Sequence, residues 1–275
     1  MNRKLETTNN VAMSYLGWAF GIGMWLSAIY LPISLEYRTA VIILTGIVVW
    51  FLYRKMVAFN PYALESMKPN KIDWFKKILY IICGSTALYM IATIRDLLTN
   101  GQVVTNDERV KDAVYVDVPD YLLRAFTTPI IEELLFRGYL YIVAYLLAKW
   151  LNKTLNKQYK ISPTSKRVVI IYVALNIIFA LLHGVTDMGE FIVFFLSGVV
   201  YVSLYLMTKR LIVPIAVHML NNTMAFITLM YPNYVTDKSW IDVIVSAIIL
   251  IILTVIIFYY EKLKEIYLTY ALESE

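Results

Sequence analysis

Charge is scarce in this chain. Only 16% of its 275 residues are Asp, Glu, Lys or Arg, and 60% are hydrophobic. Soluble domains carry about a quarter charged residues and roughly half apolar ones. A water-soluble globule of this length would lack the polar surface to cover its core, so that class is excluded. Cysteine is scarcer still. Cys83 is alone, which rules out an intrachain disulfide and a thiolate metal cluster and leaves it as a small packing residue in an apolar run. The ten glycines and eight prolines form no repeat or low-complexity tract, so collagen-like and linker-rich architectures drop out. The formal charge of +5 calls for no nucleic-acid partner, because basic residues at the ends of apolar runs have a topological explanation. Histidine occurs twice, and both copies lie in apolar runs.

Long apolar runs are what the chain has instead. About 20 helical residues cross a bilayer core. Candidate spans are Val11–Leu31, Thr39–Tyr53, Ile78–Ile94, Tyr121–Trp150, Val168–His183, Phe191–Met207, Leu211–Tyr231 and Trp240–Tyr260. The first is longer than a signal-peptide core and is read as a retained span. The second is short and extends back through Tyr37 and Arg38, with the arginine snorkelling. The fourth is too long for a perpendicular crossing and must tilt or run into the interface. Trp50, Tyr53, Trp74, Trp150, Tyr231, Trp240, Tyr259 and Tyr260 cluster at run ends, as an interfacial belt does. With the N-terminus inside, eighteen of the twenty-five Lys and Arg fall on the cytoplasmic side, five on the outer side and two within the fourth span. The expectation is therefore an all-α, polytopic helix bundle of about eight transmembrane helices with both termini cytoplasmic. It is a single transmembrane domain over residues 1–275, multi-pass in the cell membrane.

Ionisable side chains are expensive in hydrocarbon, and those that persist usually face the bundle interior and have a function. Three groups qualify. Span four contains Glu132, Glu133 and Arg137. Adjacent helical residues point about 100° apart, and Arg137 stands four residues after Glu133, the favourable order for an ion pair. Glu132 is then the freer carboxylate, suited to general-base work, although the same cluster would also serve as an internal salt bridge fastening two helices. Span five ends in Phe179-Ala-Leu-Leu-His183-Gly184. Span seven carries His218 and Asn222 one turn apart on one helix face, either as a site or as a His–Asn hydrogen bond between helices. Pro214, four residues before His218, is placed to open the backbone there.

The ordered set Glu-Glu-x-x-x-Arg, Phe-x-x-x-His and His-x-x-x-Asn, each on its own apolar helix, resembles the CPBP family of CAAX proteases and bacteriocin-processing enzymes, also called the Abi family. The resemblance spans residues 121–231, the expected catalytic core. It implies an intramembrane endopeptidase. Glu132 with His183 would activate the attacking water, His218 with Asn222 would stabilise the oxyanion, and Glu133, Arg137 and Phe179 would support them. The substrate so implied is a membrane-associated peptide or protein, either lipidated (CAAX-type) or of bacteriocin or signal-peptide type. A zinc version would use Glu132, His183 and His218 with an open fourth position. No His-Glu-x-x-His helix is present, and the metal-free scheme, with no cofactor, is favoured. A non-enzymatic immunity or scaffolding protein of the same fold is the alternative. A transporter would show repeated halves or paired helix breaks, and neither is visible. One tension remains. At about 1.5 Å per residue, Glu132 and His218 fall roughly 10 Å from the cytoplasmic side, whereas His183 counts deeper.

Overall fold

The computed structural model describes residues 16, 19–21, 23–24, 34–57, 73–99, 118–140, 150, 154, 166–208, 210–231 and 238–273. Every element among them is a helix and none is a strand, as apolar surroundings demand, since a helix satisfies its own backbone polar groups. In chain order these are α1 (Leu35–Val57), α2 (Trp74–Leu98), α3 (Val118–Glu133) continued by a π-helical stretch (Leu134–Leu140), α4 (Lys166–Leu182), α5 (Met188–Thr208), α6 (Ile212–Met230) and α7 (Trp240–Glu273).

The helices outrun several of the expected spans. α1 takes in Tyr37 and Arg38, as expected. α2 adds a turn at each end of Ile78–Ile94, and α7 runs on past Tyr260 to Glu273. Three helices are long and apolar enough to cross a membrane: Trp74–Leu98, Met188–Thr208 and Trp240–Lys264. Tyr37–Val48, Val169–Leu182 and Ile212–Thr228 are shorter apolar helices. Most of the expected first span lies outside the described residues, as do residues 141–149 of the fourth.

α2 is the hub, packing against α5, α6 and α7. Gly84 permits this. A Cβ there would lie 2.6 Å from Leu204 Cδ1 on α5 and 3.1 Å from Val217 Cγ2 on α6. The α2–α7 seam is tied at both ends. At one end the Tyr260 hydroxyl donates to Asp73, whose carboxylate also caps α2 at the Phe75 amide. The bond from Tyr260 is the main reason that the Asp73 carboxyl is held below its usual range. At the other end Lys238 pairs with Asp96, which also pairs with Arg95 at 2.8 Å. α3 lies against α1 and α6, and α4 against α5. From Leu134 to Tyr139 the π stretch is buried on every side, the mark of a segment at the middle of a bundle.

Pro214 does not open α6. It is the third residue of that helix, where the first amides have no intrahelical partner and a missing N–H costs nothing. The backbone bonds to Arg210 and Leu211 on either side of it are intact.

Candidate active site

The three motifs meet. Glu132 and Glu133 close α3, directly before the backbone widens into the π stretch that carries Arg137. Such π turns are uncommon and concentrate at functional sites. Glu132, Glu133, Arg137 and His218 are all buried, at 5%, 0%, 1% and 5% exposure. Ionisable groups so deep must compensate one another. Arg137 Nη1 donates to Glu133 Oε1 at 3.1 Å, and Nη2 donates to the Gly198 carbonyl at 3.2 Å. The guanidinium carbon lies 4.4 Å from the centre of the Phe179 ring and 5.2 Å from that of Tyr201, an aromatic cage for a buried cation.

The same Glu133 oxygen also meets His218 Nδ1, at 3.0 Å. Motif spacing does not foretell this contact, because the two residues are 85 positions apart. With Glu133 ionised and paired to Arg137, it is Nδ1 that carries a proton. A neutral His218 then has only a lone pair at Nε2, and to donate from Nε2 the ring must hold both protons, with the two carboxylates as counter-charges. Glu133 therefore orients an imidazole as well as pairing the arginine.

His183 is oriented by its own helix. Its Nδ1 donates to the Phe179 carbonyl at 2.7 Å, which leaves Nε2 of the neutral ring as an acceptor. Because that carbonyl belongs to the residue four back, the ring leans toward the start of α4, the direction that the depth mismatch from counting residues requires. The end of α4 is closed by bonds from the His183 amide to Ala180 and from the Gly184 amide to Leu181. Gly184 takes φ 66°, a left-handed turn that glycine adopts without strain. Beyond it, Asp187 caps the Glu190 amide at 2.9 Å and Glu190 accepts from the Thr186 amide, one residue before the cap, at 2.9 Å, and the two bonds fix the turn into α5.

Glu132 faces both rings. Its Oε2 lies 4.0 Å from His183 Nε2 and 3.7 Å from His218 Nε2, too long for direct hydrogen bonds and suited to a bridging water. This oxygen is buried and has no hydrogen-bond partner among the described residues. Asn222 stands one turn past His218 on α6, half-buried, and Asn221 beside it is exposed. Zinc would hold nitrogen and oxygen ligands at about 2.0–2.1 Å, hence roughly 3.3 Å apart in a tetrahedron. The measured separations from Glu132 are wider. Among the described residues no three His, Cys, Asp or Glu side chains are grouped to hold a metal ion.

Sequence reasoning passed over Asn176, Phe194, Gly198 and Tyr201. Phe194 stacks on His183, with ring centres 4.2 Å apart and planes at 21°. Tyr201 stacks on His218, at 4.6 Å and 18°. A Cβ on Gly198 would lie 2.6 Å from Asn176 Oδ1 and 3.3 Å from Arg137 Nη2. An aromatic or a glycine on an apolar helix carries no signal that separates it from ordinary lipid-facing or packing residues. The Asp187-x-x-Glu190 cap did carry one, the helix-start pattern of an acceptor followed three residues later by glutamate.

Residues 115–224 match the family model described as Type II CAAX prenyl endopeptidase Rce1-like. This is the CAAX protease family that the three motifs resemble, and the matched stretch takes in Glu132, Glu133, Arg137, Phe179, His183, His218 and Asn222. Comparison with curated proteins and with solved structures gives no match.

Proposed function

We propose that this chain is an intramembrane endopeptidase that uses Glu132 to activate water against a peptide bond of a membrane-associated substrate. The observation that carries the reading is the buried, unpartnered Oε2 of Glu132 facing the Nε2 atoms of both histidines. The Rce1-like match supports the same reaction class and makes a prenylated CAAX terminus the leading substrate. A topology of eight spans with both termini cytoplasmic belongs to this proposal.

The chemistry follows from the donors and acceptors. A water between Glu132 Oε2 and His183 Nε2 meets two acceptors, which aim its oxygen lone pair at the scissile carbonyl carbon. Glu132 takes one proton as the C–O bond forms. The oxyanion receives hydrogen bonds from Nε2–H of a doubly protonated His218 and from the Asn222 amide. Collapse breaks the C–N bond, and Glu132 returns its proton to the leaving amine. Glu132 and Glu133 together carry one negative charge more than Arg137 neutralises, so a proton held at His218 makes the site neutral, as hydrocarbon surroundings favour.

The test is hydrolysis by purified protein in detergent of a fluorogenic farnesylated CAAX peptide, beside the same peptide without its lipid. Cleavage is expected in the parent, and Glu132→Gln and His183→Ala should abolish it while the protein still inserts and purifies folded. Excess chelator should leave the rate unchanged. Full activity in either variant removes the assigned roles, and loss of activity on chelation that zinc restores reinstates the metal scheme.

A further inference from the structure

Each catalytic imidazole is oriented by one hydrogen bond at Nδ1, and a single bond still leaves the ring some freedom to tilt about it. We propose that Phe194 and Tyr201 on α5 are positioning residues whose flat rings remove that freedom and converge the two Nε2 atoms on Glu132. The proposal rests on the protease reading above.

The geometry is that of plates rather than filler. Both stacks are close to parallel, with ring centres at 4.2 Å and 4.6 Å, near the short end of the offset-stacked range for aromatic pairs. Tyr201 is 1% exposed, and its ring also flanks the Arg137 guanidinium, so it cannot turn without disturbing the cation that holds Glu133. His183 is gripped on a second side by Phe179, edge-on at 4.6 Å and 61°. Residues 194, 198 and 201 recur at the spacing of one helix face. Between the two plates stands Gly198, whose missing side chain leaves room for Asn176 and for the Arg137 Nη2 atom that bonds its carbonyl. One face of α5 therefore aligns the histidine that follows α4, a histidine from α6 and the arginine of the π stretch. A leucine of similar bulk would fill the same space but would offer no plane to either imidazole.

The chain has only two histidines, so both can be followed individually. Tyr201→Leu should lower kcat for the farnesylated peptide about tenfold or more, as small misplacements of catalytic groups do, with KM little changed. Tyr201→Phe, which keeps the plane, should recover most of the loss. Phe194→Leu and Phe194→Tyr should behave as the corresponding pair. Independently of turnover, modification by diethylpyrocarbonate read by mass spectrometry should accelerate at His218 in Tyr201→Leu and at His183 in Phe194→Leu, each leaving the other histidine at the parent rate. Parent kcat in Tyr201→Leu, equal losses in the Phe and Leu variants, or unchanged modification rates would each overturn the assignment. Should Tyr201→Leu fail to fold, Tyr201→Met serves in its place. A parent protein that cleaves no peptide counts against the protease reading instead, and the modification rates alone then decide the stacking.

Discussion

Glu132 and Glu133 are neighbours in sequence with opposite energetic roles. Glu133 is fully buried and bonds both Arg137 and His218 through one oxygen. Removing Arg137 leaves that carboxylate with one counter-group fewer, and breaking a buried pair in this way typically costs about 3–5 kcal/mol. Glu132 Oε2 makes no hydrogen bond among the described residues and stands 3.7 Å from the nearer imidazole nitrogen, so its loss breaks no direct bond. Arg137→Ala should therefore lower the melting temperature in detergent markedly, whereas Glu132→Ala should leave it unchanged or slightly raised while cleavage disappears. Melting curves of the two variants beside the parent decide the matter. If Glu132→Ala proves the less stable, Glu132 is part of the scaffold. The Glu133–Arg137 pair was legible, because four residues on a helix is a fixed geometry. The Glu133–His218 bond was not, because nothing local ties residue 133 to residue 218.

At the scale of elements, the site depends on helices that approach closely. α2 reaches α5 and α6 because Gly84 presents no side chain to Leu204 and Val217. Gly84→Ala forces a methyl into that seam, and overpacking of this kind costs about 1–3 kcal/mol. Calorimetry or a thermal-shift assay should show the drop, and a melting temperature equal to the parent's would mean that the seam yields freely. The helices themselves were readable from apolar runs, and their ends less so. α2 continues past its run because Lys76, Lys77 and Arg95 are long enough to reach water or a partner from within a helix, and α7 continues past Tyr260 with Lys262 and Lys264 exposed. The π stretch at Leu134–Leu140 had no sequence sign, since a π turn differs from an α turn only in which carbonyl each amide selects.

For the whole molecule, the distribution of lysine and arginine predicts which side each loop occupies. In a Cys83→Ser background, single cysteines in the loops at 54–77 and 152–166 should be shielded from an impermeant thiol reagent in intact cells, and a cysteine replacing Asn106 should be labelled. The opposite pattern would reverse the orientation and overturn the assignment of both termini to the cytoplasm. Among the described residues three helices are of spanning length and three apolar helices are shorter.

Sequence alone determined the solvent class, the helical character and the identity of the polar residues that hydrocarbon would otherwise exclude, because these follow from composition, run length and the cost of burying charge. Three ordered motifs were enough to point to a protease family. What the tertiary structure decided is which of those residues meet and through which atoms. Packing brings Glu133 onto His218, turns His183 back along α4 toward Glu132, leaves Glu132 Oε2 facing both rings, and backs those rings with Phe194 and Tyr201. Each is a contact between helices distant in the chain or a ring orientation set by such contacts, and neither is encoded in local periodicity.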